Sequence, residues 1–238
     1  MCVTFLLLDS HPDLRFLLAF NRDEYLERPT QPAHWWPDQP NLLASKDLKG
    51  GGTWLGLTRE GRFALVTNVR EVDHDKVTNA ASRGALPIAF LTGKQIPMAF
   101  LGSIQLQAYN GFNMVVGDLS TKQAAYVTNR GTNTQPVQLQ PGLHGISNGS
   151  GPQQEWFKDR SSITDDSQLP ATGMPQQMER MLSPIFIKTH TMLGVPYGTR
   201  TQTMIAAWHD GHVAMRERNL ASNGAWVQAE HMFRLPLT

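Results

Sequence analysis

The sequence predicts one layered domain that combines antiparallel β-sheet with helices. A chain of 238 residues is long enough for one substantial core, so we expect a single domain over residues 1–238. Two N-terminal runs, residues 3–8 and 16–20, are apolar at nearly every position, and a sheet that contains them must be covered on both faces. Later runs are short and separated by tight turns, which favours antiparallel pairing.

The remaining strands are predicted from short apolar runs bounded by turn residues. Asp210-Gly211 is a strong hairpin signal between two of them. In chain order these strands cover residues 62–66, 112–116, 124–128, 137–139, 143–147, 201–208, 212–216 and 226–233.

Helices are predicted as covering layers for the sheets. Residues 86–106 have helical apolar spacing in two pieces, because Pro97 interrupts the pattern. Two further helices are predicted at residues 155–160 and 176–182. Residues 27–48 are rich in proline and polar residues, and we expect a long connection in which Trp35 and Trp36 serve as packing side chains.

Composition excludes several classes of protein. Lys and Arg number 21 against 20 for Asp and Glu, so no overall field attracts nucleic acid, and we expect no nucleic-acid partner. One cysteine fits a reducing compartment. The apolar run at residues 5–8 is too short for a signal peptide or for stable membrane insertion. We therefore expect a cytoplasmic protein, whose oligomeric state the sequence leaves open.

Cys2 is the first candidate for chemistry. A free cysteine is usually a small buried hydrophobe. Removal of Met1 would instead place a thiol beside a free α-amine with a pKa of about 8, close enough to neutrality to act as a general base. The second strand is expected to return Arg22 and Asp23 to this terminus, because antiparallel strands joined by a short turn bring their outer ends together.

Three polar residues at predicted strand ends are further candidates. Asn68 and Asn148 each follow a strand, where asparagine commonly forms turns, although a side-chain amide there can also stabilise an oxyanion. Arg200 begins a strand, where an arginine is ordinarily a solvated surface charge. The eight histidines and single cysteine give no zinc-binding pattern, so no metal site is predicted.

A set of short motifs extends in order over essentially the whole chain. The motifs are Met1-Cys2, Asn21-Arg22-Asp23-Glu24, Gly51-Gly52-Thr53-Trp54-Leu55-Gly56, Thr67-Asn68, Tyr109-Asn110-Gly111-Phe112-Asn113, Asn129-Arg130-Gly131, His144-Gly145-Ile146-Ser147-Asn148 and Tyr197-Gly198-Thr199-Arg200-Thr201. Together they resemble the NRDE family, also called the Transport and Golgi organisation 2 family. That family in turn resembles the cysteine-type N-terminal-nucleophile hydrolases, such as penicillin V acylase and bile salt hydrolase. The resemblance implies an α+β fold, a four-layer αββα sandwich of two antiparallel sheets between helical layers.

The resemblance also implies roles for individual residues. Cys2 would be nucleophile and base, with Arg22 and Asp23 as its partners. Glu24 is the alternative carboxylate, because adjacent residues of a strand point to opposite faces and Glu24 shares the face of Arg22. The remaining implied positions are Asn68 and Asn148 near the oxyanion, Arg200 as a second cation, and Trp54 in the ligand-binding set.

Two functions follow from the resemblance. Family members are implicated in intracellular haem trafficking and in lipid or acyl-CoA homeostasis. We expect a Cys2-centred pocket that binds a small amphipathic ligand, haem in transit first, with no cofactor required. The alternative is a Cys2-dependent hydrolase of a non-peptide C–N amide or an acyl thioester such as acyl-CoA.

Overall fold

Two antiparallel sheets of seven strands each form most of the part of the chain that the structure describes. The structure is a computed structural model, and it describes residues 2–71, 76–149, 186–192 and 194–236. The first eight strands are β1 (Cys2–Leu8), β2 (Leu14–Tyr25), β3 (Thr30–Trp36), β4 (Gln39–Asp47), β5 (Leu55–Thr58), β6 (Arg62–Asn68), β7 (Phe112–Asp118) and β8 (Gln123–Thr128). The others are β9 (Val137–Gln138), β10 (Gly142–Ile146), β11 (His190–Met192), β12 (Val195–Trp208), β13 (His212–Leu220) and β14 (Trp226–Arg234).

The first sheet has the strand order β10-β1-β2-β12-β13-β14, and β11 pairs with β12. In the antiparallel pair of β1 and β2, Cys2 lies opposite Arg22, as the short turn between these strands predicts. β2 extends to Tyr25, several residues beyond the predicted strand. Residues 21–25 therefore continue the ladder with β12, and a register shift between Thr199 and Thr201 interrupts that pairing.

The second sheet has the order β3-β4-β5-β6-β7-β8-β9, and its first two strands correct a prediction. Residues 27–48 are not a long connection: most of them form β3 and β4. β3 is an edge strand whose register is irregular between Gln31 and His34, so Pro32 is tolerated there despite its missing N–H. Trp36 is buried and donates from Nε1 to the carbonyl of Ala44, which matches the expected packing role.

The predicted pair of helices lies on the second sheet. The helices are α1 (Ala85–Thr92) and α2 (Pro97–Gly102), and Pro97 stands at the start of α2, where its missing N–H costs nothing. Phe90 and Leu101 pack against Met114 in a buried cluster. A Cβ on Gly56 would come within 2.7 Å of Leu91, so glycine allows α1 to approach the sheet closely.

A larger cluster fills the space between the two sheets. Inward side chains of the first sheet, such as Leu6, Phe16 and Leu18, meet those of the second, such as Leu57 and Leu65. Both faces of the second sheet are therefore covered. The apolar runs for which two covered faces were predicted lie in the first sheet, whose inner face is buried, while Leu7 and Leu17 on its other face are partly exposed among the described residues. The described chain is richer in sheet than the expected four-layer sandwich, and the helices predicted at 155–160 and 176–182 lie outside the described residues. No described helix is long and apolar enough to cross a membrane.

Candidate active site around Cys2

A cavity of about 420 Å³ opens at the end of the sandwich where β1 begins. Its walls come from both sheets and from the two segments that precede β5 and α1. The lining residues are Cys2, Arg22, Asp23, Glu24, Arg28, Asp47, Lys49, Gly50, Gly52, Thr53, Trp54, Val66, Asn68, Ala80, Ala81, Ser82, Arg83, Gly84 and Asn110. Seven of these have charged side chains, so the described lining is strongly polar.

Cys2 is buried as the first residue of β1. Its backbone nitrogen donates a hydrogen bond of 2.7 Å to Oδ1 of Asn148. Burial raises the pKa of the Cys2 thiol, while the Arg22 guanidinium and the backbone N–H of Asp23 act in the opposite direction. Thiol, nitrogen and cation are therefore gathered at one end of the sheet.

Arg22 lies opposite Cys2 and is buried with it. Its guanidinium carbon lies 4.1 Å from the ring centroid of Trp54, a cation–π contact, and Nη2 is 3.4 Å from Oε2 of Glu24. Burial lowers the pKa of Arg22, and Glu24 and Cys2 counteract it. Among the described residues, Nη1 of Arg22 and Nε1 of Trp54 have no hydrogen-bond partner.

Both candidate carboxylates lie at the cavity. Asp23 is buried, and Oγ1 of Thr199 donates to its Oδ1 over 2.5 Å. Burial raises the pKa of Asp23 to about 6, although Thr199 and Arg22 lower it. Glu24 instead accepts from Arg22 and from the backbone N–H of Tyr25. Asp23 thus adjoins Cys2, and Glu24 neutralises the cation beside it.

The two asparagines occupy different environments. Asn148 is buried just after β10, where Oδ1 accepts from Cys2 and Nδ2 donates to the backbone carbonyl of Asn68. Asn68 ends β6 and exposes its side chain at the cavity. Because Asn148 already uses both ends of its amide, Asn68 is the better placed of the two to donate to a ligand.

Arg200 is placed behind the cavity rather than in its described lining. Nη1 donates to the carbonyls of Tyr25, Leu26 and Arg28 over 3.1, 3.2 and 2.6 Å, and Nη2 donates to Oγ1 of Thr30 over 3.0 Å. The guanidinium thereby fixes the turn between β2 and β3. Of the sequence candidates, Cys2, Arg22, Asp23, Trp54 and Asn68 share the cavity, Asn148 contacts Cys2, and Arg200 supports the turn.

Sequence reasoning did not identify the cations at the rim of the cavity. Arg28 forms an ion pair of 2.7 Å with Asp47, whereas Lys49 and Arg83 have no carboxylate within ion-pair distance among the described residues. Nη1 of Arg83 donates to the carbonyl of Gly111 over 2.8 Å, and burial lowers the pKa of this guanidinium. No local motif marks a lone arginine in a connection, so the sequence contains no signal for Arg83.

Gly52 allows two segments of the cavity wall to pack closely. A Cβ on Gly52 would overlap the backbone carbonyl of Gly84, and Thr53 donates its N–H to that same carbonyl over 3.1 Å. Glycine is therefore required where the segment before β5 meets the segment before α1. This contact brings the rim containing Lys49 next to the segment that contains Arg83.

The solved structure of the mutant C2A conjugated bile acid hydrolase from Clostridium perfringens is similar in fold. It matches with a TM-score of 0.52 over 99% of this chain and 97% of that chain, at 9% sequence identity. A likeness at this identity concerns the fold alone.

Sequence comparisons are more specific. The model of the family described as Transport and Golgi organisation 2 matches residues 1–162 and 155–222. The Transport and Golgi organization protein 2 homolog of Bos taurus is 32% identical over 278 residues, covering 99% of each chain. The homolog of Homo sapiens is 31% identical over 261 residues, covering 92% of this chain and 93% of its own length. The chain belongs to the Transport and Golgi organisation 2 family.

Proposed function

We propose that this chain is a cysteine-type N-terminal-nucleophile hydrolase that cleaves a C–N amide or an acyl thioester in a small anionic substrate. The observation on which this depends most is the 2.7 Å hydrogen bond from the nitrogen of Cys2 to Asn148 at the wall of the cavity. It fixes the group that becomes the α-amine when Met1 is removed. A hydrolase solved as its C2A mutant shares the fold, which supports the proposal.

The reaction follows from the geometry around Cys2. The α-amine takes the thiol proton, and the thiolate attacks the substrate carbonyl to form a C–S bond. The resulting oxyanion accepts a hydrogen bond from the amide of Asn68. When the tetrahedral intermediate collapses, the C–N or C–S bond to the leaving group breaks and the ammonium returns its proton to that group. Water then hydrolyses the acyl-enzyme thioester with the amine as base, which releases the acid and restores Cys2.

The charges of the cavity favour an anionic substrate. Glu24 is engaged by Arg22 and Asp47 by Arg28, while Asp23 accepts from Thr199 beside Cys2, away from the rim. Lys49 and Arg83 therefore remain to bind an anion at the rim. Arginine and lysine bind carboxylate and phosphate through charge-assisted hydrogen bonds, so we infer that the substrate has such a group a short distance from the scissile bond.

The polar lining of the cavity makes binding of haem in transit the second candidate function, after hydrolysis. A haem site needs a wide apolar wall in addition to cations for the propionates. In the described lining, the large apolar side chains are Trp54 and Val66, beside seven charged ones. The polar cavity suits a smaller anion better, and the proposed reaction needs no cofactor.

The test combines mass and turnover. We expect the protein from its own host to lack Met1 by intact mass, and to release product from members of a panel of acyl amides and acyl-CoA thioesters. Cys2→Ala should abolish release with little effect on substrate binding, because the nucleophile contributes to the reaction and little to ground-state affinity. Cys2→Ser, which keeps a weaker nucleophile, is the matched variant.

Two results would overturn the proposal. Full retention of Met1 removes the base, and release that persists in Cys2→Ala removes the nucleophile. A saturable Soret shift with haem, together with no Cys2-dependent product, would make haem binding the better assignment.

A further inference from the structure

A hydrogen-bond network behind the cavity links the second sheet to the segment that contains Asn148. Asn113 lies on β7 and is completely buried. Its Nδ2 donates to the carbonyl of Ser147 over 2.9 Å and to that of Gly149 over 2.8 Å. Oγ1 of Thr67, on β6, donates to the same Ser147 carbonyl over 3.0 Å. The backbone on both sides of Asn148 is thus held from the opposite sheet.

Tyr126 completes the hydrogen bonding of the Asn113 amide. The carbonyls of Ser147 and Gly149 only accept hydrogen bonds, so they select the orientation in which Nδ2 of Asn113 points at them. The hydroxyl of Tyr126, on β8, donates to Oδ1 of Asn113 over 2.6 Å in a buried setting. Without this donor, the amide oxygen would be buried and unpaired.

The segment held in this way ends at the nitrogen of Cys2. Ser147 and Gly149 flank Asn148, whose Oδ1 accepts from that nitrogen and whose Nδ2 donates to Asn68. β10, which precedes this segment, belongs to the first sheet with β1. The backbone around Asn148 is therefore held by the first sheet through β10 and by the second sheet through Asn113 and Thr67.

We propose that Asn113, whose amide oxygen accepts from Tyr126, is a positioning residue that holds Asn148 against the nitrogen of Cys2. The proposal rests on the function proposed above, because it assigns Asn113 to the same reaction. Asn113 contacts neither the sulfur nor a substrate and acts through Asn148. Its role requires an amide, since a carboxylate in its place would face two carbonyl oxygens and repel them.

Asn129 provides a matched control within the same sheet. It is buried, its Oδ1 accepts from the N–H of Phe112 over 2.7 Å, and its Nδ2 donates to the carbonyls of Leu106 and Tyr109 over 3.1 and 3.0 Å. Nδ2 also donates to the carbonyl of Asn110, which lines the cavity, over 3.3 Å, but Asn129 has no hydrogen bond to Asn148 or to its neighbours among the described residues. Asn129→Asp therefore imposes a similar structural cost without acting through Asn148.

The experiment uses the single cysteine as its own probe. Because Cys2 is the only thiol in the chain, alkylation by iodoacetamide followed by intact mass measures its ionisation site-specifically across pH. In the processed protein, the ammonium held by Asn148 stabilises the thiolate beside it. Tyr126→Phe and Asn113→Asp should therefore raise the apparent pKa of Cys2 by about half a unit to one unit, the shift that loss of one hydrogen bond corresponds to. Asn129→Asp should leave it unchanged.

The other charged groups that face Cys2 stay in place in these variants. They are Arg22, Asp23 and Glu24 on β2, Arg83 in the segment before α1, and Tyr197 on β12. Tyr126→Phe removes only one hydroxyl, so it tests the proposal even if Asn113→Asp does not fold. An unchanged or lowered pKa in folded Tyr126→Phe, or an equal rise in Asn129→Asp, would overturn the positioning role.

Failure of the proposed function is detected separately in the same samples. Intact mass shows whether residue 2 is the N-terminus, and retained Met1 counts against the hydrolase. Retained Met1 would also overturn the positioning role as tested here, because a neutral amide N–H would then replace the ammonium beside the thiol. In processed protein that shows no turnover, the alkylation profile still decides the positioning role, because the ammonium that donates to Asn148 is present whether or not a substrate is turned over.

Discussion

At the scale of one residue, burial of Asp23 at the cavity makes the stability of the fold depend on pH. Its native pKa of about 6 lies above the ordinary value of 3.8, because burial disfavours the carboxylate. The native state therefore binds more protons than the unfolded state between about pH 4 and pH 6, and its stability falls as pH rises through that window. The same group stands beside Cys2, where a carboxylate can hold the amine in place.

Asp23→Asn should flatten this pH dependence. The amide oxygen still accepts from Thr199, but nothing ionises, so about 2–3 kcal/mol of the stability lost on going from pH 4 to pH 6 should disappear. Urea unfolding at several pH values measures this dependence of the free energy of unfolding on pH. Asp38→Asn, at an exposed site, should show the same dependence on pH as the wild type. Parallel profiles for wild type and Asp23→Asn would show that Asp23 does not titrate in this range.

Arg83 is the residue whose removal tests the anionic substrate. Arg83→Gln keeps a donor toward Gly111 and removes the charge, so KM for an anionic substrate should rise about 10-fold or more with a smaller change in kcat. Steady-state kinetics on the best substrate of the panel measures it. Arg216→Gln, at an exposed ion pair with Glu230, is the control. An unaltered KM in Arg83→Gln would place the anion elsewhere.

The candidate site was only partly predictable at this scale. Cys2, Arg22 and Asp23 lie in one N-terminal hairpin, so strand pairing alone brings them together. Arg83 is distant in sequence and reaches the cavity through tertiary packing that no local pattern encodes. Arg200 was expected as a second cation, but its partners are backbone carbonyls, which a sequence does not reveal.

At the scale of elements, the strands that face the cavity differ most from the predicted ones. Apolar periodicity ends near Phe20, yet β2 continues through the polar residues up to Tyr25, because their side chains line a cavity instead of a core. β3 was missed for a related reason. An edge strand needs fewer apolar residues and tolerates proline, so its pattern resembles that of a loop.

The contact between Gly52 and Gly84 gives a prediction at this scale. A Cβ on Gly52 would overlap the Gly84 backbone, so Gly52→Ala should lower the free energy of unfolding by about 1–3 kcal/mol and reduce turnover by displacing the rim. Gly102→Ala is the matched control, since a Cβ there meets nothing within 4 Å and alanine favours the helix. Chemical denaturation of both variants provides the comparison. Equal stability of the two would mean that the segments separate at little cost.

At the scale of the whole molecule, the two sheets are joined by polar contacts as well as by the core. Antiparallel pairing was predictable from short strands and tight turns, two stacked sheets were implied by the family resemblance, and the structure confirms both. The polar contacts between the two sheets could not be predicted from the sequence. A polar residue that points into the sandwich has the same sequence pattern as one at the surface. Glu217 is the clearest case, being almost completely buried on β13.

Glu217 accepts hydrogen bonds from both sheets. From the second sheet, the N–H of Ala33 and Oγ1 of Ser45 donate over 2.8 and 2.5 Å, and from the first sheet Oγ1 of Thr203 and Nδ2 of Asn219 donate over 3.0 and 2.8 Å. A carboxylate suits this setting because it only accepts. Four donors offset the cost of desolvating the Glu217 carboxylate. They can do so only when the two sheets are stacked in their native relative position.

Glu217→Gln should therefore destabilise the sandwich as a whole. The amide nitrogen is a donor and must face at least one of the four donors, which leaves that group buried and unpaired at a cost of about 1–3 kcal/mol. Global unfolding in urea should show a lower midpoint with an unchanged slope, since the surface exposed on unfolding stays the same. Glu230→Gln removes an exposed carboxylate from the neighbouring strand and should change the midpoint little. If Glu217→Gln were as stable as Glu230→Gln, the sheets would be held together by their apolar core alone.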